Sequence, residues 1–220
     1  MIKGCIFDLD GTLLNTITTI THYVNATLQK HNVEMITEED CKRFIGNGAY
    51  ELIRRALEFR SIDNKDAIER VLLDYNNAYN GEPLYLTEPY EGIRELLSCL
   101  KEKGIKLAVL SNKPDETTKS VVSSIFPNVF DVVMGARDDV PLKPDITAPK
   151  LILSMLSLDN DEVMMIGDSA PDMQTGVGFS AGLTVGVAWG FRSREELWNN
   201  GADVVVENPL QILARLTEVE

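Results

Sequence analysis

Two aspartates one residue apart, followed by a glycine and a hydroxyl residue, stand near the start of the chain in Phe7-Asp8-Leu9-Asp10-Gly11-Thr12-Leu13. The apolar run before them predicts a strand. Both acids then fall at its C-terminal end, the edge at which open α/β sheets place their ligands. A turn begun at Gly11 would bring Asp10 back over such a site. An acidic strand end closed by a glycine turn is the plain alternative, so the motif needs support from elsewhere in the chain.

Three later segments supply that support. Leu110-Ser111-Asn112-Lys113-Pro114 closes another apolar run with a hydroxyl, an amide and backbone N–H groups, and Pro114 suits a helix start. That combination makes an anion site at a helix N-terminus, although Ser-Asn is also a common turn or cap. Lys143 lies between prolines in Pro141-Leu142-Lys143-Pro144, where an extended backbone can aim its ammonium at a phosphate or leave it in a solvated loop. Ile166-Gly167-Asp168-Ser169-Ala170-Pro171-Asp172 follows a further hydrophobic run, and its two acids can face one cation or can cap a helix.

Taken together these residues are carboxylates, one lysine and a Ser-Asn turn, with no histidine or cysteine among them. Carboxylate and carbonyl oxygens with water suit Mg²⁺, whereas imidazole or thiolate would suggest zinc. The economical reading is a magnesium phosphate site. The cation and the lysine would neutralise phosphoryl oxygens while a neighbouring carboxylate attacks phosphorus, forming an aspartyl-phosphate that water then cleaves.

The elements that must position this chemistry are legible as well. Apolar runs at 3–7, 106–110, 129–134, 163–166, 183–188 and 203–206 alternate with helical periodicity after about residue 85, the pattern of a parallel sheet covered by helices. One helical stripe is Ile93, Leu96, Leu97 and Leu100; another is Leu151, Ile152, Met155 and Leu156. Between the first and second strands, residues 15–83 show only helical signals: Ile17, Ile20, Val24 and Leu28; a capping box at Thr37-Glu38-Glu39-Asp40; Leu52, Ile53, Ala56 and Leu57; and Ile68, Val71, Leu72 and Tyr75. The domains expected are 1–14 with 84–220 as the catalytic core and 15–83 as a helical insertion, hinged at 13–16 and at Gly81-Glu82-Pro83.

Composition narrows the partners. The chain has 220 residues, 44% of them hydrophobic and 25% charged, as in a folded globular protein. Lys and Arg number 21 against 34 Asp and Glu, a net charge of −13, which argues against nucleic acid as a partner. Cys5, Cys41 and Cys99 form no metal or disulfide pattern, and no apolar run suits a signal peptide or a membrane span. A cytoplasmic protein without membrane contact is expected. The sequence leaves the oligomeric state open. Cys5, Trp189, Trp198, Met155, Met164, Met165 and Met173 read as packing residues, and His22 and His31 as surface or partly buried polar residues.

The ordered set Asp8-x-Asp10-Gly11-Thr12, Ser111-Asn112, Lys143-Pro144 and Gly167-Asp168-x-x-x-Asp172 resembles the haloacid dehalogenase superfamily over essentially the whole chain. The resemblance implies an α/β fold, a Rossmann-like three-layer parallel-sheet core with a small α-helical cap inserted after the first strand. It further implies that Asp8 is the nucleophile and Asp10 the general acid and base. Asp8, the main-chain carbonyl of Asp10 and Asp168 would hold Mg²⁺, with Asp172 ligating or orienting its waters. Gly11, Thr12, Ser111, Asn112 and Lys143 would serve the phosphate, Lys143 also pairing with Asp8 and Thr12 bracing the nucleophile loop.

Within that superfamily, Phe44-Ile45-Gly46-Asn47-Gly48-Ala49 is similar to the cap loop of phosphoglycolate phosphatases, and Trp189-Gly190-Phe191-Arg192-Ser193 is similar to their late loop. Gly46, Asn47 and Gly48 are therefore candidate specificity residues, since backbone N–H groups there can approach a small anion; a tight interhelical turn would look the same. Arg43, Arg54 and Arg55 flank this loop and suit either a substrate carboxylate or plain solvation. Asn15 departs from the family, which commonly carries an acid there. The function expected is a phosphomonoester hydrolase acting on a small phosphorylated metabolite, 2-phosphoglycolate first. A phosphosugar mutase using the same intermediate is the alternative within the superfamily. A non-catalytic phospho-acceptor domain is the other, disfavoured by Asp10 and by the long insertion.

Overall fold

The computed structural model describes residues 1–216. Gly4–Phe7 (β1) is buried along its whole length, and its side chains alternate: Cys5 and Phe7 enter one apolar cluster while Ile6 enters another. That period of two is what a strand covered on both faces requires. Leu14–Asn15 (β2) precedes four helices, Ile17–Lys30 (α1), Glu38–Phe44 (α2), Gly48–Phe59 (α3) and Lys65–Gly81 (α4), and Glu88–Pro89 (β3) follows them. The chain then alternates through Ile93–Glu102 (α5), Lys106–Pro114 (β4), Asp115–Ile125 (α6), Val132–Ala136 (β5), Thr147–Leu156 (α7), Val163–Gly167 (β6), Ala170–Gly178 (α8), Leu183–Val187 (β7), Arg194–Asn199 (α9), Val204–Val206 (β8) and Gln211–Arg215 (α10).

Six strands form one parallel sheet in the order β5-β4-β1-β6-β7-β8. Counted along the chain, this is the doubly wound order that reverses direction between its first and fourth strands, here β1 and β6. A crevice must open beyond the carboxyl ends of those two strands, and they are the strands that Asp8 and Asp168 follow. On one face Phe7, Val109, Ile166 and Val185 pack with Leu96 and Leu97 of α5; on the other Ile6, Ala108, Leu110 and Met165 pack with Ile152 and Leu156 of α7. The architecture is the three-layer α/β sandwich that the sequence predicts.

Several local expectations are corrected. The stripe of α7 runs through Ala148, Ile152 and Leu156, while Leu151 and Met155 stand exposed, Met155 at 65%. Residues four apart share a face, so the 151/155 pair belongs to the neighbouring, outward row. Trp198 is likewise exposed and not a packing residue, whereas Met164, Met165 and Met173 are fully buried. The fifth strand starts at Val132, later than expected, because Asp131 ends the preceding loop by exchanging hydrogen bonds with the backbone of Leu107, at 2.8 and 2.9 Å.

The chain divides into two compact units, Met1–Asn15 with the chain from Pro89 onward, and Thr16–Glu88. In the second unit Ile17, Ile20, Val24 and Leu28 of α1, Leu52, Ile53 and Leu57 of α3, and Ile68, Val71 and Tyr75 of α4 are all buried. Thr37 and Asp40 exchange the two hydrogen bonds of a capping box, each at 3.1 Å, at the start of α2. This unit extends past the expected hinge at 81–83. The segment after α4 is bound to α1: Tyr23 donates to Glu82 O at 3.0 Å, Thr19 lies 3.0 Å from the Thr87 hydroxyl, and the Tyr85 ring sits 4.8 Å from that of His22.

Candidate active site

Strand β1 ends at Phe7, and the Asp8 N–H donates to Ile166 O at 2.9 Å, which holds the residue at the carboxyl edge between β1 and β6. Its Oδ1 accepts from the Lys143 ammonium at 2.7 Å. The same Nζ donates to Asp172 Oδ1 at 2.7 Å and to Leu110 O at 2.9 Å, so each of its three protons has an acceptor. Lys143 is buried, 3% exposed along its side chain, which removes the solvated-loop alternative.

Ser111 and Asn112, expected in a turn, stand instead within strand β4, and Asn112 explains how that lysine is aimed. Asn112 Oδ1 accepts from the Lys143 N–H at 2.8 Å, and Asn112 Nδ2 donates to Lys143 O at 3.3 Å, a two-bond clamp on the lysine backbone. Strand β4 runs through these residues to Pro114 and shifts register between Leu110 and Pro114, a bulge that lifts Ser111 and Asn112 out of the regular ladder. Ser111 is buried, and its Oγ accepts from the Lys113 N–H at 3.2 Å.

Asp168 follows β6. Its Oδ1 accepts from the Thr12 hydroxyl at 3.2 Å and its Oδ2 from the Phe191 N–H at 2.8 Å, so one carboxylate ties the first turn to the late loop. Glycine is required around it: a Cβ at Gly11 or Gly190 would collide with the Asp168 side chain, and Gly11 also has φ +87°. Trp189 Nε1 donates to Thr12 O at 3.0 Å, a second tie between the same loops. Asp172 stands in the first turn of α8, where its Oδ2 accepts from the Ser169 N–H at 3.0 Å and from the Ser169 hydroxyl at 2.5 Å. It is both a helix-capping acid and a member of the cluster.

One carboxylate oxygen from each of Asp8, Asp168 and Asp172 lies within 4.8 Å of the others, and all three residues are buried. Burial and the charge of Asp172 push the Asp8 carboxyl well above its ordinary value, against the pull of Lys143. Burial and Asp172 push Asp168 up to about 7. For Lys143 burial favours the neutral amine, but Asp172 and Asp8 outweigh it and raise the ammonium's pKa. With all three carboxylates ionised against one ammonium this dry site would carry a double negative charge, which the raised values of Asp8 and Asp168 resist, so the donor set fits a hard divalent cation.

Asp10 stands apart from this triad. Its side chain turns to Lys113, whose Nζ donates to Asp10 Oδ1 at 2.7 Å, both side chains being largely buried. Lys113 is a residue whose part the sequence did not reveal. It lies within the Ser-Asn-Lys-Pro string, but its partner is 103 positions away and no local pattern marks the pair. The Phe191 N–H and the Trp189 indole were visible only as parts of the late loop.

Gly46, Asn47 and Gly48 lie in the helical unit, at the turn between α2 and α3, with φ +114° and +84° at the two glycines. Arg55 binds this turn from inside, donating to Phe44 O at 3.0 Å and to Asn47 Oδ1 at 2.9 Å. Arg54 pairs with Glu51 and Glu58, and Arg43 with Asp40. All three arginines are thus engaged within their own unit.

The haloacid dehalogenase-like hydrolase family matches residues 5–186. The chain belongs to this family. A phosphoglycolate phosphatase of Rhodospirillum rubrum is 32% identical over 216 residues, covering 94% of this chain and 88% of its own. A pyrophosphatase PpaX of Listeria welshimeri is 33% identical over 222 residues, covering 100% and 98%. A solved structure from Lactobacillus delbrueckii subsp. bulgaricus, provisionally named a phosphoglycolate phosphatase, superposes with a TM-score of 0.93 at 30% identity, covering 97% of this chain and 98% of that one. This haloacid dehalogenase-like hydrolase therefore resembles phosphatases whose names carry two kinds of substrate.

Proposed function

We propose that the protein is a Mg²⁺-dependent phosphomonoester hydrolase that works through an aspartyl-phosphate on Asp8, with 2-phosphoglycolate as the leading substrate. The observation that carries this is the Asp8 carboxylate held at 2.7 Å by a buried ammonium, inside a carboxylate triad of excess negative charge. An Asp8 oxygen attacks phosphorus as the bond to the leaving alkoxide breaks. Asp10, as the acid, delivers a proton to that alkoxide; as the carboxylate, it then takes a proton from the water that cleaves the acyl phosphate, and inorganic phosphate leaves.

Asp8 and Asp168, with the Asp10 carbonyl and Asp172 beside them, are the residues that would hold Mg²⁺. The ion supplies charge neutralisation for phosphoryl oxygens and carboxylates alike. Lys143 supplies a fixed positive charge opposite it. Ser111 and the backbone of Asn112 bind phosphoryl oxygens, while Gly11 and Thr12 brace the loop that carries the nucleophile. The helical unit is assigned the role of a cap, with Gly46, Asn47 and Gly48 as its candidate specificity residues.

Pyrophosphate is the second reading, favoured by the PpaX relative that matches the whole chain at 33% identity. Its leaving group is phosphate, which departs with far less need of a proton. The three cysteines are free, which suits the reducing cytoplasm we assign to the protein. Among the described residues no helix is long and apolar enough to cross a membrane. Phosphate release from 2-phosphoglycolate and from pyrophosphate, with and without Mg²⁺, decides between the substrates. Turnover that survives Asp8→Asn would end the covalent mechanism.

A further inference from the structure

We infer that Lys113 is a positioning residue for Asp10: its ammonium fixes the orientation in which that carboxyl group exchanges protons with the leaving oxygen and the attacking water. The inference rests on the hydrolase reading above. Lys113 Nζ lies 2.7 Å from Asp10 Oδ1, with its side chain 7% exposed and that of Asp10 15% exposed. A pair so enclosed is not the loose surface contact that contributes little. One oxygen of Asp10 accepts from the lysine, and rotation of the carboxyl group is restrained by that bond, so proton exchange is assigned to the other oxygen.

The frame behind Lys113 is rigid. Its N–H donates to Ser111 Oγ at 3.2 Å, and its carbonyl accepts from the Thr118 hydroxyl at 3.1 Å, Thr118 being fully buried. Gly135 of the adjacent strand packs so closely that a Cβ there would lie 2.6 Å from Lys113 O. One strand end therefore sets both charged contacts of the nucleophile loop: Asn112 clamps the lysine that holds Asp8, and the next residue holds Asp10. The turn closed by Gly11 and Leu14 carries Asp10 to meet it, the Gly11 N–H donating to Leu14 O at 2.9 Å. Misorientation of a proton-transfer group by a fraction of an ångström is the kind of fault that costs rate and leaves binding intact.

The test uses the full-length protein with Mg²⁺ and compares wild type, Lys113→Met, Lys113→Arg, Asp10→Asn and the double variant Lys113→Met/Asp10→Asn. Two substrates are used, 2-phosphoglycolate and p-nitrophenyl phosphate, whose phenolate leaves without a proton. For Lys113→Met the expected result on 2-phosphoglycolate is a fall in kcat of about 10²-fold, the lower range for a proton-transfer contribution, with KM within about threefold. On p-nitrophenyl phosphate the rapid p-nitrophenolate burst should survive while steady turnover slows, because only the water-activation step still needs Asp10. Lys113→Arg, which keeps a donor on Asp10, should recover most of the loss. In the Asp10→Asn background, Lys113→Met should have almost no further effect, as expected of residues acting as a unit.

A rise in KM with kcat intact would mean that Lys113 grips substrate directly, and would overturn the inference. So would equal losses in the burst and in turnover, or independent effects of the two substitutions. If Lys113→Met fails to fold, Lys113→Gln, which removes the charge and keeps a polar side chain, takes its place in the same comparisons with Lys113→Arg and with Asp10→Asn. A wild-type protein that releases no phosphate from either compound or from pyrophosphate would instead refute the hydrolase reading, a result distinguishable from failure of the Lys113 inference alone.

Discussion

The carboxyl edge of the sheet and the helical unit both hold many charges but balance them differently. At the sheet edge, Asp8, Asp168 and Asp172 are buried against a single ammonium, and the imbalance is built in from strand ends far apart in sequence. In the helical unit Arg43, Arg54 and Arg55 meet acids three or four residues away or the backbone of the adjacent turn. A helix surface pairs charges locally and cheaply, each worth a few tenths of a kcal/mol. Buried excess charge is costly, and its concentration there marks the first region as the one whose residues could hold a divalent cation.

That contrast can be broken most directly at Asp8. Asp8→Asn keeps the shape of the side chain and removes its nucleophilic oxygen pair, so turnover is expected to fall by at least about 10⁴-fold. Steady-state phosphate release from the preferred substrate is the measurement, with metal binding by calorimetry retained. A fall of tenfold or less would place the nucleophile elsewhere and make the sheet edge merely an unusual ion cluster.

Lys143→Met should come next in size. It leaves Asp8 and Asp172 without their ammonium, and breaking a buried pair of this kind costs about 3–5 kcal/mol. Urea denaturation of the metal-free variant measures that loss, and added Mg²⁺ should restore part of it, because a ligand that binds only the folded state stabilises it. Unchanged stability without metal would show that the triad is comfortable with its charge, contrary to the raised values of Asp8 and Asp168.

The same contrast explains what could be read in advance. The doubly wound core was legible because β-branched and apolar runs recur between helical stretches, and candidate site residues could be nominated because several stand just past such a run. Asp8 and Asp168 directly follow strand ends, and Ser111 stands at the bulge where β4 leaves its regular ladder, places where backbone geometry leaves few uses for such residue types. Lys113 was not legible, since its meaning comes from a partner brought near only by folding. Met155 misled because helical periodicity does not say which of two adjacent apolar rows faces the sheet. Residues 84–87 misled because irregular chain bound to α1 through Thr19 and His22 leaves no periodic trace. In the helical unit the anatomy was plain, but its chemistry was not, since short-range ion pairs look alike whether or not a ligand is nearby.

Arg55→Ala sharpens the comparison from the other side. It removes both hydrogen bonds that brace the turn carrying Asn47, at 3.0 and 2.9 Å, without touching the triad. If this turn contacts the non-reacting end of the substrate, KM for 2-phosphoglycolate should rise about tenfold, equivalent to about 1.4 kcal/mol, with kcat changed far less. Equal kinetics in the variant would make the Gly46-Asn47-Gly48 segment an interhelical turn and nothing more.

The smallest effect belongs to Thr37→Ala. The substitution deletes one bond of the capping box at the start of α2, where the Thr37 hydroxyl accepts from the Asp40 N–H at 3.1 Å. An N-cap of this type contributes about 1 kcal/mol, and that loss should appear as a small downward shift of the urea midpoint. Turnover should stay at the wild-type value, since a local cap governs the ends of one helix and not the charge balance of the sheet edge. A kinetic defect larger than the stability loss would mean that α2 orients the Asn47 turn, and the helical unit would then share the positional demands now assigned to the sheet edge alone.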